Sequence, residues 1–264
     1  MIPSLELPLV GFTILSQLAI GLTFVYALRT AGTSEQPEAS AKMQWFVFAG
    51  ILALGLLISL THLGRPEMAL RAVVHLSTSW LSREVLLFSL LVVLMAATAF
   101  LGASRKFVWL TTAVGLLSLL VQGMVYAPPS FPAIHNVLPF TFFLNSAVIL
   151  GAGAGVWFAP QGKRSFLRAI LVGALCAGLL LFLITPCVWF SGDMVMRLTA
   201  AAYLTSPLYW ISIVLGLAVP LAVILVLRRI PSWLPFLLLA GALCGRIVFF
   251  GDTVHSAVNI GGLY

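Results

Sequence analysis

Eight apolar stretches, each about twenty residues long, cover almost the whole 264-residue chain. They fall at residues 8–28, 44–63, 84–103, 107–126, 136–158, 166–190, 203–227 and 233–250. A run of about twenty residues at 1.5 Å per residue crosses a hydrocarbon core of about 30 Å. No water is available there to pair backbone N–H and C=O groups, so only helices or closed barrels can span it. These runs are too long and too uniformly apolar for the alternating strands of a membrane barrel. The expected fold is therefore all-α: a polytopic membrane protein, a bundle of eight transmembrane helices forming one integral-membrane domain over residues 1–264. The first run lacks a basic flank before it and has the length of a span, so it is expected to stay as helix one rather than act as a cleavable leader. No inverted repeat or period of 20 to 50 residues is evident.

Composition removes most other classes. The chain is 61% hydrophobic and 8% charged, against roughly 25% charged residues in soluble domains. The longest segment able to lie outside the bilayer, 63–83, is too short for an independent catalytic domain. The net charge of +7 does not point to nucleic acid, because the basic residues stand in ones, twos and threes at the ends of apolar runs. Cys176, Cys187 and Cys244 lie in or at the ends of those runs, without C-x-x-C spacing. They cannot alone supply the four thiolates of a typical iron–sulfur cluster and read as small buried hydrophobes.

Loop charge orients the bundle. The loops after spans one, three, five and seven hold nine basic residues: Arg29, Lys42, Arg105, Lys106, Lys163, Arg164, Arg168, Arg228 and Arg229. The opposite loops hold Arg65, Arg71, Arg83 and Arg197, and the embedded Arg246 completes the fourteen. Under the positive-inside rule both termini lie outside the cytoplasm, which for a bacterial inner membrane is the periplasm. By parity, the end of span two, the start of span three and the end of span eight share one side. That side holds His62, Glu84 and Arg246, and its loops hold His75, His135, His255 and both aspartates.

Arg246 is the one strongly charged side chain well inside a span. Inserting a guanidinium costs at least about 2.5 kcal/mol unless it finds a partner or a wet cavity, so it marks a functional site by default. It lies roughly 20 Å along span eight. It either snorkels to the interface or binds a carboxylate or polar ligand, with Glu84 the nearest candidate by topology. Gly241 and Gly245 before it would let another helix approach closely. His62, in Thr61-His62-Leu63-Gly64-Arg65-Pro66, is either an imidazole near the negative end of a helix or a proton acceptor for a ligand. Glu84 follows Ser82, a candidate N-cap, and is either a first-turn acid or part of a site. Gln17, Gln122 and Asn145 are more readily interhelical hydrogen-bond glue than ligands. Only His62 among the histidines lies at a helix end, which argues against a bis-histidine haem.

Thr61-His62-Leu63-Gly64, the Ser82-Arg83-Glu84 helix start and the closing Gly245-Arg246-Ile247-Val248-Phe249-Phe250-Gly251 together resemble the membrane-anchor subunit of the dimethyl sulfoxide reductase family. The resemblance covers essentially the whole chain. It implies a three-part complex in which a molybdopterin catalytic subunit and a four-cluster iron–sulfur subunit sit on the periplasmic face, served in anaerobic respiration by an anchor that oxidises menaquinol. It implies that His62 and Glu84 are catalytic, and that His62, Glu84, Arg246 and Tyr126 bind quinol. No haem, iron–sulfur cluster or other metal site is expected in this chain, and no nucleic-acid partner. The segment after span four departs from the family pattern: Met124 stands where a basic residue is usual, and Ile134 where an aromatic is usual.

The residue types suit that chemistry. A hydroquinone losing two protons and two electrons needs a proton acceptor, which His62 provides, and a relay, which Glu84 provides while Arg246 holds it ionised and in place. Two other readings remain. A proton conductor or transporter would need ionisable groups across the midplane, and spans one to seven offer only amides there. A passive tether would use the polar face solely for docking.

Overall fold

The computed structural model describes residues 6–31, 41–61 and 74–259. The described residues contain ten α-helices: α1 (Leu7–Thr30), α2 (Ala41–Leu60), α3 (Trp80–Phe100), α4 (Arg105–Val125), α5 (Leu138–Ala154), α6 (Arg164–Phe190), α7 (Met194–Thr205), α8 (Pro207–Ile213), α9 (Val219–Leu227) and α10 (Leu234–Gly251). A π-helical turn, Val214–Ala218, joins α8 and α9 into one rod. Eight segments are long and apolar enough to cross a membrane: α1 to α4, α5 with its continuation to Trp157, α6, the α8–α9 rod and α10.

The expected spans are present, with two corrections at their ends. Span seven was expected from residue 203, but Ser206 is extended (φ −77°, ψ 119°) ahead of Pro207. Proline disfavours the helical region for the residue before it, so the helix breaks there and α7 becomes a separate short element. Span three was expected to open at Glu84 behind a Ser82 cap. It opens a turn earlier, at Trp80, where the Ser79 side chain accepts the Ser82 backbone N–H at 3.3 Å.

The helices form two quartets. α1 to α4 pack in sequence and close through α1 against α4, while α5, α6, the α8–α9 rod and α10 form the second ring. The seam between them is α1 against α5, where Gly21 and Gly151 meet backbone to backbone. A Cβ on Gly21 would lie 1.9 Å from the Ala147 carbonyl oxygen, and one on Gly151 would lie 2.2 Å from the Gly21 carbonyl carbon. Between helices surrounded by lipid, such close packing replaces the hydrophobic drive that water would supply. The surface is correspondingly apolar, with Val226 79% and Phe100 70% exposed. Thr13, Ser16, Gln17, Thr98, Thr111, Ser118 and Gln122 are buried inside. The three cysteines depart from expectation: Cys176 and Cys187 are exposed on the outside of the bundle and Cys244 is half-buried.

Prolines shape the second quartet. Pro186 inside α6 cannot donate to the carbonyl four residues back, Phe182, and the buried Tyr209 hydroxyl donates to that carbonyl instead. Pro220 likewise follows the wide π turn, whose longer hydrogen-bond period relieves the clash a proline makes with the i−4 carbonyl. Gly216 in that turn lies against Gly241 of α10, where a Cβ on Gly241 would be 2.1 Å from the Gly216 Cα. The close approach expected at Gly241 is present.

Gly151→Val is expected to abolish recovery of monodisperse protein in detergent, because backbone rather than a flexible side chain blocks the new atoms. Gly50→Ala, whose Cβ would meet nothing within 4 Å, should leave yield and thermal midpoint at wild-type values.

Candidate functional site

Four helices bring a series of polar side chains together in the half of the bundle where α1 and α3 begin and α4 and α10 end. Arg246, 5% exposed on α10, donates from Nη2 to the Gln17 Oε1 on α1 at 2.7 Å. Gln17 Nε2 faces the Gln122 Oε1 of α4 at 3.5 Å, and Gln122 Nε2 donates to the Ser16 hydroxyl at 3.3 Å. Gln122 is also the polar side chain that faces the Glu84 carboxyl on α3. The order is thus Glu84, Gln122, Gln17, Arg246, with two neutral amides between an acid and a base.

Each end of this series has one unused group. Glu84 Oε1 and Arg246 Nε are both buried and have no hydrogen-bond partner among the described residues. An orphaned buried polar atom costs about 1–3 kcal/mol, more when charged, so two on one network require an explanation. Aromatic faces offset part of the cost at the basic end: the Arg246 guanidinium lies 4.1 Å from the Phe143 ring centroid and 5.5 Å from that of Phe249.

Several expectations are corrected. Arg246 does not snorkel, since it is buried, and among the described residues it makes no ion pair with Glu84. The physical reason is topological. α1 and α4 stand between α3 and α10, so the interposed amides make the contacts that a direct salt bridge would have made. Glu84 is not an exposed first-turn acid either: it is the fifth residue of α3 and 4% exposed. Gln17 and Gln122 do act as glue, linking α1, α4 and α10. A Cβ on Gly245 would lie 3.4–3.6 Å from Phe182 and Ser212, ordinary contact distances, so the close approach expected there is not required.

Tyr126 caps the end of α4 and stacks edge-on with Phe143 and Phe250, at centroid distances of 5.7 and 5.2 Å. Phe143 is also the ring under the Arg246 guanidinium, so one aromatic side chain touches both. Met124 points outward and is 39% exposed, while Ile134 is buried in the 3-10 turn Pro132–Ile134. His62 lies outside the described residues. Thr61, its neighbour, is exposed at the end of α2, and α2 packs on α3.

The loop after α4, helix α7 and the tail after α10 form a cap over this end. Trp189 Nε1 donates to the Ala133 carbonyl at 2.8 Å, and the Ser256 N–H to the Ser130 carbonyl at 2.8 Å. Tyr203 Oη and Thr253 Oγ1 share a hydrogen bond of 3.0 Å. Burial pushes the Tyr203 phenol above its ordinary range, so it serves there as a neutral hydroxyl. On the far side of Arg246 a cavity of about 50 Å³ is lined by Asn145, Ser146, Phe182, Tyr203, Ser212 and Phe249. That volume has room for a few waters but is well below the roughly 150 Å³ of a cavity that takes a benzene ring. Gln17 and Gln122 were visible in the sequence as amides in apolar runs. Ser16 and Phe143 gave no signal of their own.

The DMSO reductase anchor subunit (DmsC) family profile matches residues 3–252. The chain is 32% identical over 157 residues to one polypeptide of the anaerobic dimethyl sulfoxide reductase of Haemophilus influenzae, with 55% of each sequence covered. It is 32% identical over 143 residues to one polypeptide of the sulfite dehydrogenase of Allochromatium vinosum, with 44% of this sequence and 42% of that one covered. The chain thus spans about half the length of the curated relatives it matches.

Gln17→Leu should lower the thermal midpoint in detergent, because it leaves the buried guanidinium without its amide acceptor, a loss of about 1.5–3 kcal/mol for a hydrogen bond to a charged group. Adding Arg246→Met removes the stranded charge, and the double variant should recover most of the loss.

Proposed function

Because the chain belongs to the DMSO reductase anchor subunit family, we propose that it is the menaquinol-oxidising membrane anchor of a dimethyl sulfoxide reductase-like molybdoenzyme complex. The observation that carries this reading is the buried Glu84 carboxyl with a free Oε1, in an apolar setting on α3, which packs against α2. A lipid-soluble reductant entering between helices would meet an acceptor there. The quinol binds at this end, where Glu84 and Arg246 each keep a buried polar atom without a partner among the described residues.

Menaquinol gives up two protons and two electrons to become menaquinone. His62 hydrogen-bonds one hydroxyl and takes its proton, as a group titrating near neutral pH does well. Glu84 passes the proton outward, and Tyr126 lends a wall and a hydroxyl to the ring. Arg246 is a positioning residue, acting through Gln17 and Gln122 to orient the carboxyl rather than touching it. The electrons leave to an iron–sulfur cluster of a four-cluster partner and from there reach a molybdopterin catalytic subunit. The basic-residue bias supports a quinol site at the periplasmic face of a bacterial inner membrane. Protons and electrons then finish on the same side, and no net charge crosses.

In the assembled complex, His62→Arg and Glu84→Gln should each lower quinol-dependent turnover by about 10²-fold or more, the scale of a lost acid–base group. Turnover from a water-soluble viologen donor should stay at the wild-type rate. Quinol-dependent turnover retained in both variants would overturn the site.

A further inference from the structure

At the opposite end of the bundle, four arginines converge on one concavity. Arg164 and Arg168 are four apart in the first turns of α6 and so share a face, and Arg228 and Arg229 follow α9. With Ser165 and Trp233 they wall a pocket of about 420 Å³. A groove of about 750 Å³ continues from it along the surface between α6 and α9, lined by Ala169, Val172, Gly173, Ile224 and Leu225. Arg168 and Arg228 border both, so a charged mouth opens directly into an apolar channel.

Two features go beyond a topology signal. Arg228 is in the left-handed region (φ 52°, ψ 22°) at the end of α9, a position usually given to glycine because a side chain there is strained. Its carbonyl accepts a hydrogen bond from Arg168, which fixes the strained turn against α6. No acid among the described residues lines the pocket. Among the described residues the acidic side chains are Glu6, Glu84, Asp193 and Asp252, all at the other end of the bundle. Arginines that only mark the cytoplasmic side or offset a helix dipole need neither a strained backbone nor a shared pocket.

The geometry points to a binding site for an anionic phospholipid whose headgroup carries two phosphates, the cardiolipin class. The phosphates lie among Arg164, Arg168, Arg228 and Arg229, whose planar guanidinium groups match phosphate oxygens. One acyl tail lies in the α6–α9 groove. Trp233, half exposed, and Trp157, whose Nε1 donates to the Ser232 carbonyl at 2.9 Å, sit where aromatic side chains mark the headgroup level.

Native mass spectrometry of the full chain, with added cardiolipin or phosphatidylethanolamine, tests this. The wild type should retain cardiolipin roughly tenfold better than the zwitterionic lipid, and Arg228→Gly with Arg229→Gln should remove most of that preference. Glycine suits the left-handed turn, so the thermal midpoint of this variant should not fall, which separates lost binding from lost folding. Gly173→Leu, placed where a Cβ meets nothing within 4 Å, should weaken cardiolipin retention severalfold by filling the groove. Equal retention of the two lipids, or a preference that survives the arginine variant, would overturn the site. Displacement by millimolar inorganic phosphate with no effect of Gly173→Leu would reduce it to a phosphate site and overturn the lipid assignment.

Discussion

The hydrogen bond from Arg246 to Gln17 is the contact around which the bundle is organised. A guanidinium among apolar side chains must be given acceptors before α10 can sit in a membrane at all. The acceptor comes from α1, which is also the most enclosed span: 72% of its apolar window is buried, against 28% for α6. Placing α1 centrally lets one side chain reach α10 while Ser16 and Gln17 meet Gln122 of α4. It also brings Gly21 to Gly151, so the polar contact and the tight backbone seam hold the same helix in the same place.

The two quartets solve the backbone problem differently. The first is made of uninterrupted helices, and its buried polar atoms meet one another across helices, as the Thr98 and Thr111 hydroxyls do at 2.9 Å. In the second, prolines free carbonyls that side chains or wider turns must then satisfy, as Tyr209 does for Phe182. Irregular backbone is tolerated at membrane depth only where it is buried in protein. The π turn meets this condition by lying against Gly241, whose missing Cβ makes room for it.

The existence and number of the spans were legible because each is long and uniformly apolar, and because charged residues punctuate them. Boundaries were less legible. Nothing local distinguishes Ser79 from Ser82 as a cap, and the break at Ser206 depends on Pro207 overriding an otherwise continuous apolar run. The site was legible as a set of polar residues sharing one end, but not as a network. Alternation along the sequence says which side of the membrane a residue occupies and leaves open which helices are neighbours. Glu84 and Arg246 therefore looked like natural partners, whereas packing placed α1 and α4 between them. Cys176 and Cys187 misled for a related reason: an apolar run has both an inward and a lipid-facing side, and composition gives them the same appearance.

The separation of Glu84 from Arg246 has a consequence for chemistry. A direct salt bridge would hold both carboxylate oxygens on a cation and resist protonation through a charge a few ångströms away. Two amides in series transmit orientation but carry no net charge, so Gln122 can hold one side of the carboxyl while Oε1 stays free. The arginine meanwhile finds its acceptor in Gln17 and its aromatic contacts in Phe143 and Phe249. An acid and a guanidinium kept apart in this way leave the carboxyl held by neutral amides and not paired with a cation. That arrangement suits the proton transfer proposed for Glu84, whereas a carboxyl that only joined helices would have no need of a free oxygen.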